Sequence, residues 1–123
     1  MSKKILVVDD EPDILFTVGQ MLEMNGYDVE KAQNGTECID KLNKLEKCPD
    51  LIILDIMMPE VSGWDTAAKI KERQEWCNIP IIFLTAKADT MSIGMGNLSA
   101  EDYIVKPFDI EDLKIRVDRI LNN

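Results

Sequence analysis

The chain contains 123 residues, of which 46% are hydrophobic and 30% charged, and it carries a formal net charge of −9. This length predicts one domain spanning residues 1–123, and no apolar stretch is long enough to cross a membrane. Direct binding of nucleic acid needs clustered Lys and Arg, which this net charge disfavours. The sequence has no histidine, the usual general base of triad hydrolases. We therefore expect the partners of the domain to be proteins or cations.

The cysteines and the N-terminal sequence indicate a cytoplasmic protein. Cys38, Cys48 and Cys77 are an odd number without a Cys-x-x-Cys spacing, which is typical of reduced thiols. The first apolar run has only four residues, 5–8, before Asp9 interrupts it, and this is too short for a signal peptide. We therefore expect this run to form a strand.

Strand and helix patterns alternate along the chain. Short apolar runs are typical of parallel strands buried on both faces, and apolar residues three or four positions apart are typical of helices. Pro12 suits the first turn of a helix, and Asp109 suits an N-cap. In chain order, the predicted elements are a strand at 5–8, a helix at 14–22, a strand at 27–31, a helix at 39–45, a strand at 51–54, a helix at 64–70, a strand at 79–84, a helix at 89–100, a strand at 103–105 and a helix at 110–121.

These five strand–helix units predict an α/β fold of the flavodoxin-like kind. Right-handed crossovers between parallel strands place helices on both faces of a doubly wound sheet, with the strand order 2-1-3-4-5. The alternating pattern at residues 27–31 suits an edge strand. In the fourth predicted helix, residues 89–100, Gly94 and Gly96 each cost up to about 1 kcal/mol relative to alanine. We expect this helix to be the least stable element.

Polar side chains follow the buried strands. Asp9 and Asp10 follow the first strand, Asp55 the third, Thr85 the fourth and Lys106 the fifth. The carboxyl ends of parallel strands share one edge of the sheet, where ligands bind. Turn and cap preferences explain each residue singly, but not why four strand ends carry complementary groups. The sequence therefore predicts a site of three carboxylates, a hydroxyl and an ammonium.

This set of groups predicts cation-assisted phosphoryl transfer. Crowded carboxylates repel one another and require a cation, and oxygen ligands without His or Cys favour Mg²⁺. The cation and Lys106 together can hold a phosphoryl group against a nucleophilic carboxylate. Asp55, at the end of an otherwise apolar run, is the residue placed to attack.

Taken together, these motifs resemble the receiver domain of two-component response regulators. The resemblance covers essentially the whole chain, and five motifs in this order are highly specific. The motifs are the acidic pair Asp9-Asp10, Asp55 in the sequence LDIMMPE, Gly63 at the start of the third helix, Thr85-Ala86, and the sequence YIVKPF at residues 103–108.

The resemblance implies that Asp55 accepts a phosphoryl group from the phosphohistidine of a sensor histidine kinase or a histidine phosphotransfer protein. It implies that Asp10 and Asp55 ligate Mg²⁺ directly, Asp9 does so through water, and the main-chain carbonyl of Met57 completes the protein ligands. Such a domain catalyses its own phosphorylation and dephosphorylation. It is not an enzyme that turns over a separate substrate.

The resemblance also implies a conformational switch. Lys106 would contact the phosphoryl oxygens, and the Lys106–Pro107 peptide bond would be cis. Thr85 would move to hydrogen-bond the phosphoryl group, and Tyr103 would turn inward to fill the vacated space. These changes would alter the face formed by the fourth predicted helix, the fifth strand and the last helix. A downstream protein target, an output domain or a second copy of the chain would bind there.

Two other functions and one further hypothesis arise from the same residues. A phosphatase of the haloacid dehalogenase type needs a second Asp two residues after the nucleophile, where this chain has Met57. A flavin-binding module needs a phosphate-binding loop after the first strand, where this chain has Asp9 and Asp10. In the receiver interpretation, we hypothesise that the apolar side chain of Met57 shields the acyl phosphate of Asp55 from water.

Overall fold

The computed structural model describes residues 2–86 and 101–122. The fourth predicted helix, residues 89–100, lies outside the described residues, and α4 here denotes the last helix. In chain order the elements are β1 (Lys4–Val8), α1 (Pro12–Met24), β2 (Asp28–Ala32), α2 (Gly35–Lys44), β3 (Leu51–Asp55), α3 (Gly63–Glu72), β4 (Ile81–Ala86), β5 (Asp102–Lys106) and α4 (Ile110–Leu121).

The described strands form one parallel sheet in the predicted order β2-β1-β3-β4-β5. The central strand, β3, pairs with β1 and β4, and all five of its residues are buried. β2 forms one edge of the sheet and is only partly buried, as its alternating sequence predicts. β4 begins two residues later than predicted, after Pro80, which has no main-chain N–H to donate to a ladder.

Alternate strand residues pack into two hydrophobic clusters, one on each face of the sheet. On one face, Leu6, Ile52 and Phe83 pack with residues of α2 and α3. On the other face, Ile5 and Ile53 pack with residues of α1 and α4. Successive residues of a strand point to opposite faces, so a strand covered by helices on both sides must be apolar along its length. Polar groups are therefore tolerated only where the central strands end.

The helices begin at local sequence signals. Pro12 is the first residue of α1, and Asp109 caps α4 by accepting a hydrogen bond of 2.9 Å from the Glu111 N–H. Asn34 and Ser62 cap α2 and α3 in the same way. These side chains satisfy main-chain donors that have no partner within the helix. The predictions for Pro12 and Asp109 are confirmed.

Two further observations concern membrane spans and thiols. Within residues 2–86 and 101–122, no helix combines the length and apolar character that crossing a membrane requires.

The three cysteines are free, and burial raises the pKa of the Cys38 thiol to about 12. A thiol with so high a pKa is scarcely ionised at neutral pH and is therefore unreactive.

The loop between β3 and α3 contains one residue with an unfavourable backbone conformation. Glu60 is exposed and has a φ of 68°. This left-handed region costs an ordinary L-residue about 1–2 kcal/mol. Nearby hydrogen bonds of 2.8 Å, from Val61 N–H to the Pro59 carbonyl and from Gly63 N–H to the Ile56 carbonyl, fix the path of the loop. The loop geometry thus imposes the conformation on Glu60.

Replacing Glu60 with Asn should raise the free energy of unfolding by about 0.5–1 kcal/mol, because Asn adopts the left-handed conformation at lower cost. Urea denaturation measures this change. Glu60→Gln is the matched control, since it removes the charge and keeps the conformational cost. An equal gain in both variants would identify charge repulsion, rather than backbone conformation, as the cause.

Candidate functional site

The carboxyl edge of the sheet collects buried polar residues. Four polar or charged residues are buried in the described part of the chain, and Asp9, Asp55 and Thr85 lie at this edge, whereas Thr66 lies in α3. Asp9 directly follows β1, Asp55 is the last residue of β3, and Thr85 lies near the end of β4. The Asp9 N–H donates to the Ala32 carbonyl at 3.1 Å, which extends the pairing of β1 with β2. The sheet thus brings together strand ends that are far apart in sequence.

Three carboxylates form a compact acidic cluster at this edge. One oxygen each from Asp9, Asp10 and Asp55 lies within 4.8 Å of the others. Asp9 is completely buried and Asp55 is 3% exposed, whereas Asp10 faces solvent. An oxygen-only donor set with two buried charges and one open side fits a hard divalent cation such as Mg²⁺.

Lys106 neutralises part of the charge of this cluster. Its Nζ lies 2.8 Å from Asp9 Oδ2 and 3.3 Å from Asp55 Oδ2. The side chain of Lys106 is only 17% exposed, so water screens these ion pairs less than it screens a surface pair. The Lys106–Pro107 peptide bond is cis, as predicted.

The sequence patterns did not single out a fourth carboxylate of the site, that of Glu11. Its Oε2 lies 3.5 Å from Lys106 Nζ, and its side chain is 60% exposed. Its N–H donates to Asp9 Oδ1 at 2.9 Å. The available signal was the position of Glu11 directly after the acidic pair. Its contact with Lys106 depends on how β5 lies relative to the start of α1, which spacing alone does not show.

Burial raises the pKa of Asp55 from its ordinary value of 3.8 to about 7, and the charge of Asp9 adds to the rise. The ion pair with Lys106 and a hydrogen bond from the Met57 N–H oppose it. For Lys106, burial lowers the pKa, but the hydrogen bond and charge of Asp9, with the charges of Asp55 and Glu11, outweigh burial and raise it. Without a metal ion, the site therefore keeps Lys106 charged and holds Asp55 partly protonated near neutral pH.

Met57, Thr85 and Gly63 surround Asp55. The Met57 N–H donates to Asp55 Oδ1 at 3.2 Å, and Met57 as a whole is 60% exposed. Thr85 is buried, and its hydroxyl donates to the Ala86 carbonyl at 3.1 Å. A Cβ atom at Gly63 would overlap the main-chain carbonyl oxygen of Asp55. Glycine at this position therefore lets α3 start directly against the end of β3.

Tyr103 belongs to an aromatic cluster beside the site. Its ring stacks on Phe83 with centroids 5.6 Å apart, and Trp64 lies 4.8 Å from Phe83. On the other side, Arg116 Nη1 donates to the Tyr103 carbonyl at 3.1 Å and to Asp102 Oδ1 at 2.7 Å. β5 is therefore linked to α3 through aromatic rings and to α4 through Arg116.

The fold and this site define a signalling domain of the receiver class. The family model described as the response regulator receiver domain matches residues 5–118, and the chain belongs to this family. It is a response regulator receiver domain of the two-component type, and the predicted flavodoxin-like fold is confirmed by its CheY-like structural neighbours. Membership of this family favours the receiver interpretation over the phosphatase and the flavin-binding module.

The chain is 43% identical over 122 residues to the alkaline phosphatase synthesis transcriptional regulatory protein PhoP of Bacillus subtilis, covering 98% of this chain and 49% of that protein. It is 40% identical over 119 residues to the response regulator ArlR of Staphylococcus aureus, covering 96% and 52%. The solved structure of chemotaxis protein CheY4 of Vibrio cholerae has a TM-score of 0.89 at 31% identity, covering 98% of this chain and 100% of that one. The chain thus spans about half the length of the curated relatives it matches.

The raised pKa of Asp55 predicts a pH-dependent stability in metal-free protein. A carboxyl whose pKa rises on folding stabilises the fold while protonated, and this contribution is lost as pH climbs from the unfolded value of 3.8 to the folded value of about 7. Asp55→Asn lacks this loss. An unscreened shift of this size corresponds to about 4 kcal/mol, and solvent screening reduces it to about 2 kcal/mol. The free energy of unfolding of Asp55→Asn, relative to that of the wild type, should therefore be higher by about 2 kcal/mol above this pH range than below it.

Urea denaturation in a metal chelator, repeated across this pH range, measures the difference. Asp40→Asn is the matched control, because Asp40 is exposed on α2, away from the carboxyl edge of the sheet. Its profile should run parallel to that of the wild type. A parallel profile for Asp55→Asn would contradict the raised pKa.

Proposed function

We propose that this domain is controlled by phosphorylation and that Asp55 is the phosphoryl acceptor. The donor is the phosphohistidine of a sensor histidine kinase or a histidine phosphotransfer protein. One observation carries the proposal: in a member of this family, the Asp55 carboxylate lies at the end of β3, almost fully buried and 3.3 Å from Lys106 Nζ. Residues 1–123 contain no histidine, so the phosphohistidine must lie outside them.

In the transfer, a carboxylate oxygen of Asp55 attacks phosphorus and forms a P–O bond. The P–N bond to the donor imidazole breaks, and the imidazole leaves with the electron pair of that bond. Lys106, already within ion-pair distance of Asp55, offsets charge on the phosphoryl oxygens. The product stays bonded to Asp55, so the domain catalyses its own phosphorylation and its later hydrolysis, and it turns over no separate substrate.

Mg²⁺ is the proposed cofactor, because the acidic cluster offers oxygen donors with an excess of negative charge. Asp10 and Asp55 would ligate the ion directly, Asp9 through water, and the main-chain carbonyl of Met57 would complete the protein ligands. When bound, the ion supplies positive charge that stabilises the transferring phosphoryl group. Asp9 also holds Lys106 in place through their contact of 2.8 Å.

Thr85 and Tyr103 are the proposed switch residues. The Thr85 hydroxyl, which donates to the Ala86 carbonyl in this structure, would turn to a phosphoryl oxygen, and Tyr103 would move inward. The contacts of Tyr103 with Phe83 and of its carbonyl with Arg116 would carry this change to the surface of β5 and α4. Such a switch requires two conformational states whose free energies differ by only a few kcal/mol.

The output of the switch is a protein contact. The face built on β5, α4 and the fourth predicted helix would bind a downstream protein target, an output domain or a second copy of the chain, although residues 89–100 lie outside the described part. PhoP is named a transcriptional regulatory protein and is about twice as long as this chain, which supports an output that acts on transcription.

We further propose that residues 1–123 form a single domain in the cytoplasm, without direct contact to membrane or nucleic acid. The formal net charge of −9 supports the lack of direct contact with membrane or nucleic acid, since their anionic phosphates would be repelled.

Incubation with acetyl phosphate and Mg²⁺ should add one phosphoryl group to the chain, measured by intact mass. Replacing Asp55 with Asn should abolish the addition, because the nucleophilic oxygen is lost. Chelation of Mg²⁺ should slow labelling by at least about tenfold, equivalent to about 1.4 kcal/mol of lost transition-state stabilisation. Asp40→Asn should be labelled like the wild type. Labelling that persists in Asp55→Asn would overturn the proposal.

Replacing Met57 with Asn should shorten the lifetime of the phosphorylated protein by about two- to fivefold, since a barrier change of about 0.5–1 kcal/mol has that effect on a rate. Loss of an apolar group beside the acyl phosphate would admit water. Decay of the mass label after removal of donor gives the lifetime. Met57→Leu, which keeps an apolar side chain, is the matched control. An unchanged lifetime in Met57→Asn would refute the shielding hypothesis.

A further inference from the structure

Glu11 has a side chain that its local structure does not use. It is the N-cap residue of α1, yet its carboxylate makes no capping hydrogen bond. Its main chain performs the structural work: the N–H donates to Asp9 Oδ1, and the carbonyl accepts from the N–H groups of Ile14 and Leu15. Ser, Thr, Asp and Asn are preferred at such a position, and Glu is not. The carboxylate lies instead 3.5 Å from Lys106 Nζ.

Glu11 is the solvent-facing partner of Lys106 in the described part of the chain. Its side chain is 60% exposed, whereas those of Asp9 and Asp55, the other two carboxylates in contact with Lys106, are 0% and 4% exposed. Glu11 and Lys106 also line a cleft of about 510 Å³ together with Pro107 and other residues of α1 and the β5–α4 loop. A small molecule in this cleft therefore meets the carboxylate of Glu11 close to Lys106.

We infer that Glu11 is a specificity-determining residue that disfavours free dianionic phosphodonors relative to donors that carry a compensating positive charge. The inference rests on the proposed role of Asp55 as the phosphoryl acceptor. Four carboxylates and one ammonium give this edge of the sheet a strongly negative charge. Glu11 is an exposed carboxylate of this group, and it lies beside Lys106, whose ammonium is proposed to contact the phosphoryl oxygens. Its charge repels a dianion more than a zwitterion of lower net charge.

Two small donors separate these cases. With acetyl phosphate, a dianion, the Asp55 oxygen attacks phosphorus, the P–O bond to acetate breaks, and acetate leaves with the electron pair. With phosphoramidate, a zwitterion near neutral pH, the P–N bond breaks and ammonia leaves with the electron pair. Both reactions give the same phosphorylated Asp55, so a difference between them reports on the approach of the donor.

The test compares the labelling rates of wild type and Glu11→Gln with both donors, followed by intact mass over a range of donor concentrations. At low salt, Glu11→Gln should accept acetyl phosphate about three- to tenfold faster, mainly through a lower half-saturating concentration. Its gain with phosphoramidate should be smaller. At about 1 M salt, where the screening length is about 3 Å, both gains should largely disappear.

Three controls isolate the charge of Glu11. Glu11→Asp keeps the charge and should retain most of the wild-type discrimination between the donors. Glu23→Gln removes an exposed charge at the far end of α1 and should behave like the wild type. A Mg²⁺ titration of each variant, followed by tryptophan fluorescence, sets saturating metal throughout, so that altered metal affinity is not mistaken for altered donor selection.

The outcomes separate this inference from the proposed function. Wild-type protein that neither donor labels would overturn the role of Asp55, and this inference with it. If the wild type is labelled and Glu11→Gln is labelled at the wild-type rates with both donors, the role of Glu11 alone would be overturned. A gain that is equal for both donors, or that persists at high salt, would also overturn it, because a merely structural effect would not depend on donor charge.

Discussion

The ion pairs of Lys106 are the interaction on which the rest of the site depends. Two almost fully buried carboxylates, those of Asp9 and Asp55, face this single ammonium. An unpaired buried carboxylate is strongly unfavourable, so without Lys106 this edge of the sheet would have to open to water. β1 and β5, which position Asp9 and Lys106, do not touch each other but are held in register through β3 and β4. Four strands are therefore needed to place one charge.

Stability and chemistry compete at the end of β3 and in the loop that follows it. The apolar strands that make the sheet stable also exclude water from Asp55, and this exclusion raises its pKa to about 7. Glu60, which lies in the loop after Asp55, adopts a left-handed φ. Both features are unfavourable for folding: the first belongs to the proposed nucleophile itself, and the second lies in the loop that follows it. Proteins commonly concentrate such strain at functional sites and compensate for it elsewhere, here in two well-packed hydrophobic clusters.

The sequence predicts the architecture well because each central strand must be apolar until it ends. The same rule marks Asp9, Asp55 and Lys106 as strand-end residues. It does not reveal the contact of Glu11 with Lys106, because that contact depends on side-chain direction across two elements. Nor does it reveal the left-handed φ of Glu60, since glutamate is not a residue that favours this conformation. Periodicity therefore reports what is buried, whereas pairings between exposed or loop residues require the assembled fold.

The aromatic cluster of Trp64, Phe83 and Tyr103 contains an intrinsic fluorescent probe, the indole of Trp64. Indole emission responds to nearby rings and polarity, so a displacement of Tyr103 would alter the fluorescence intensity of Trp64 without any added dye. The second indole, Trp76, lies under the guanidinium of Arg73 and is almost fully buried, and it would contribute a steadier background. Rapid-mixing spectroscopy on the unlabelled chain could therefore follow the proposed displacement of Tyr103 in real time.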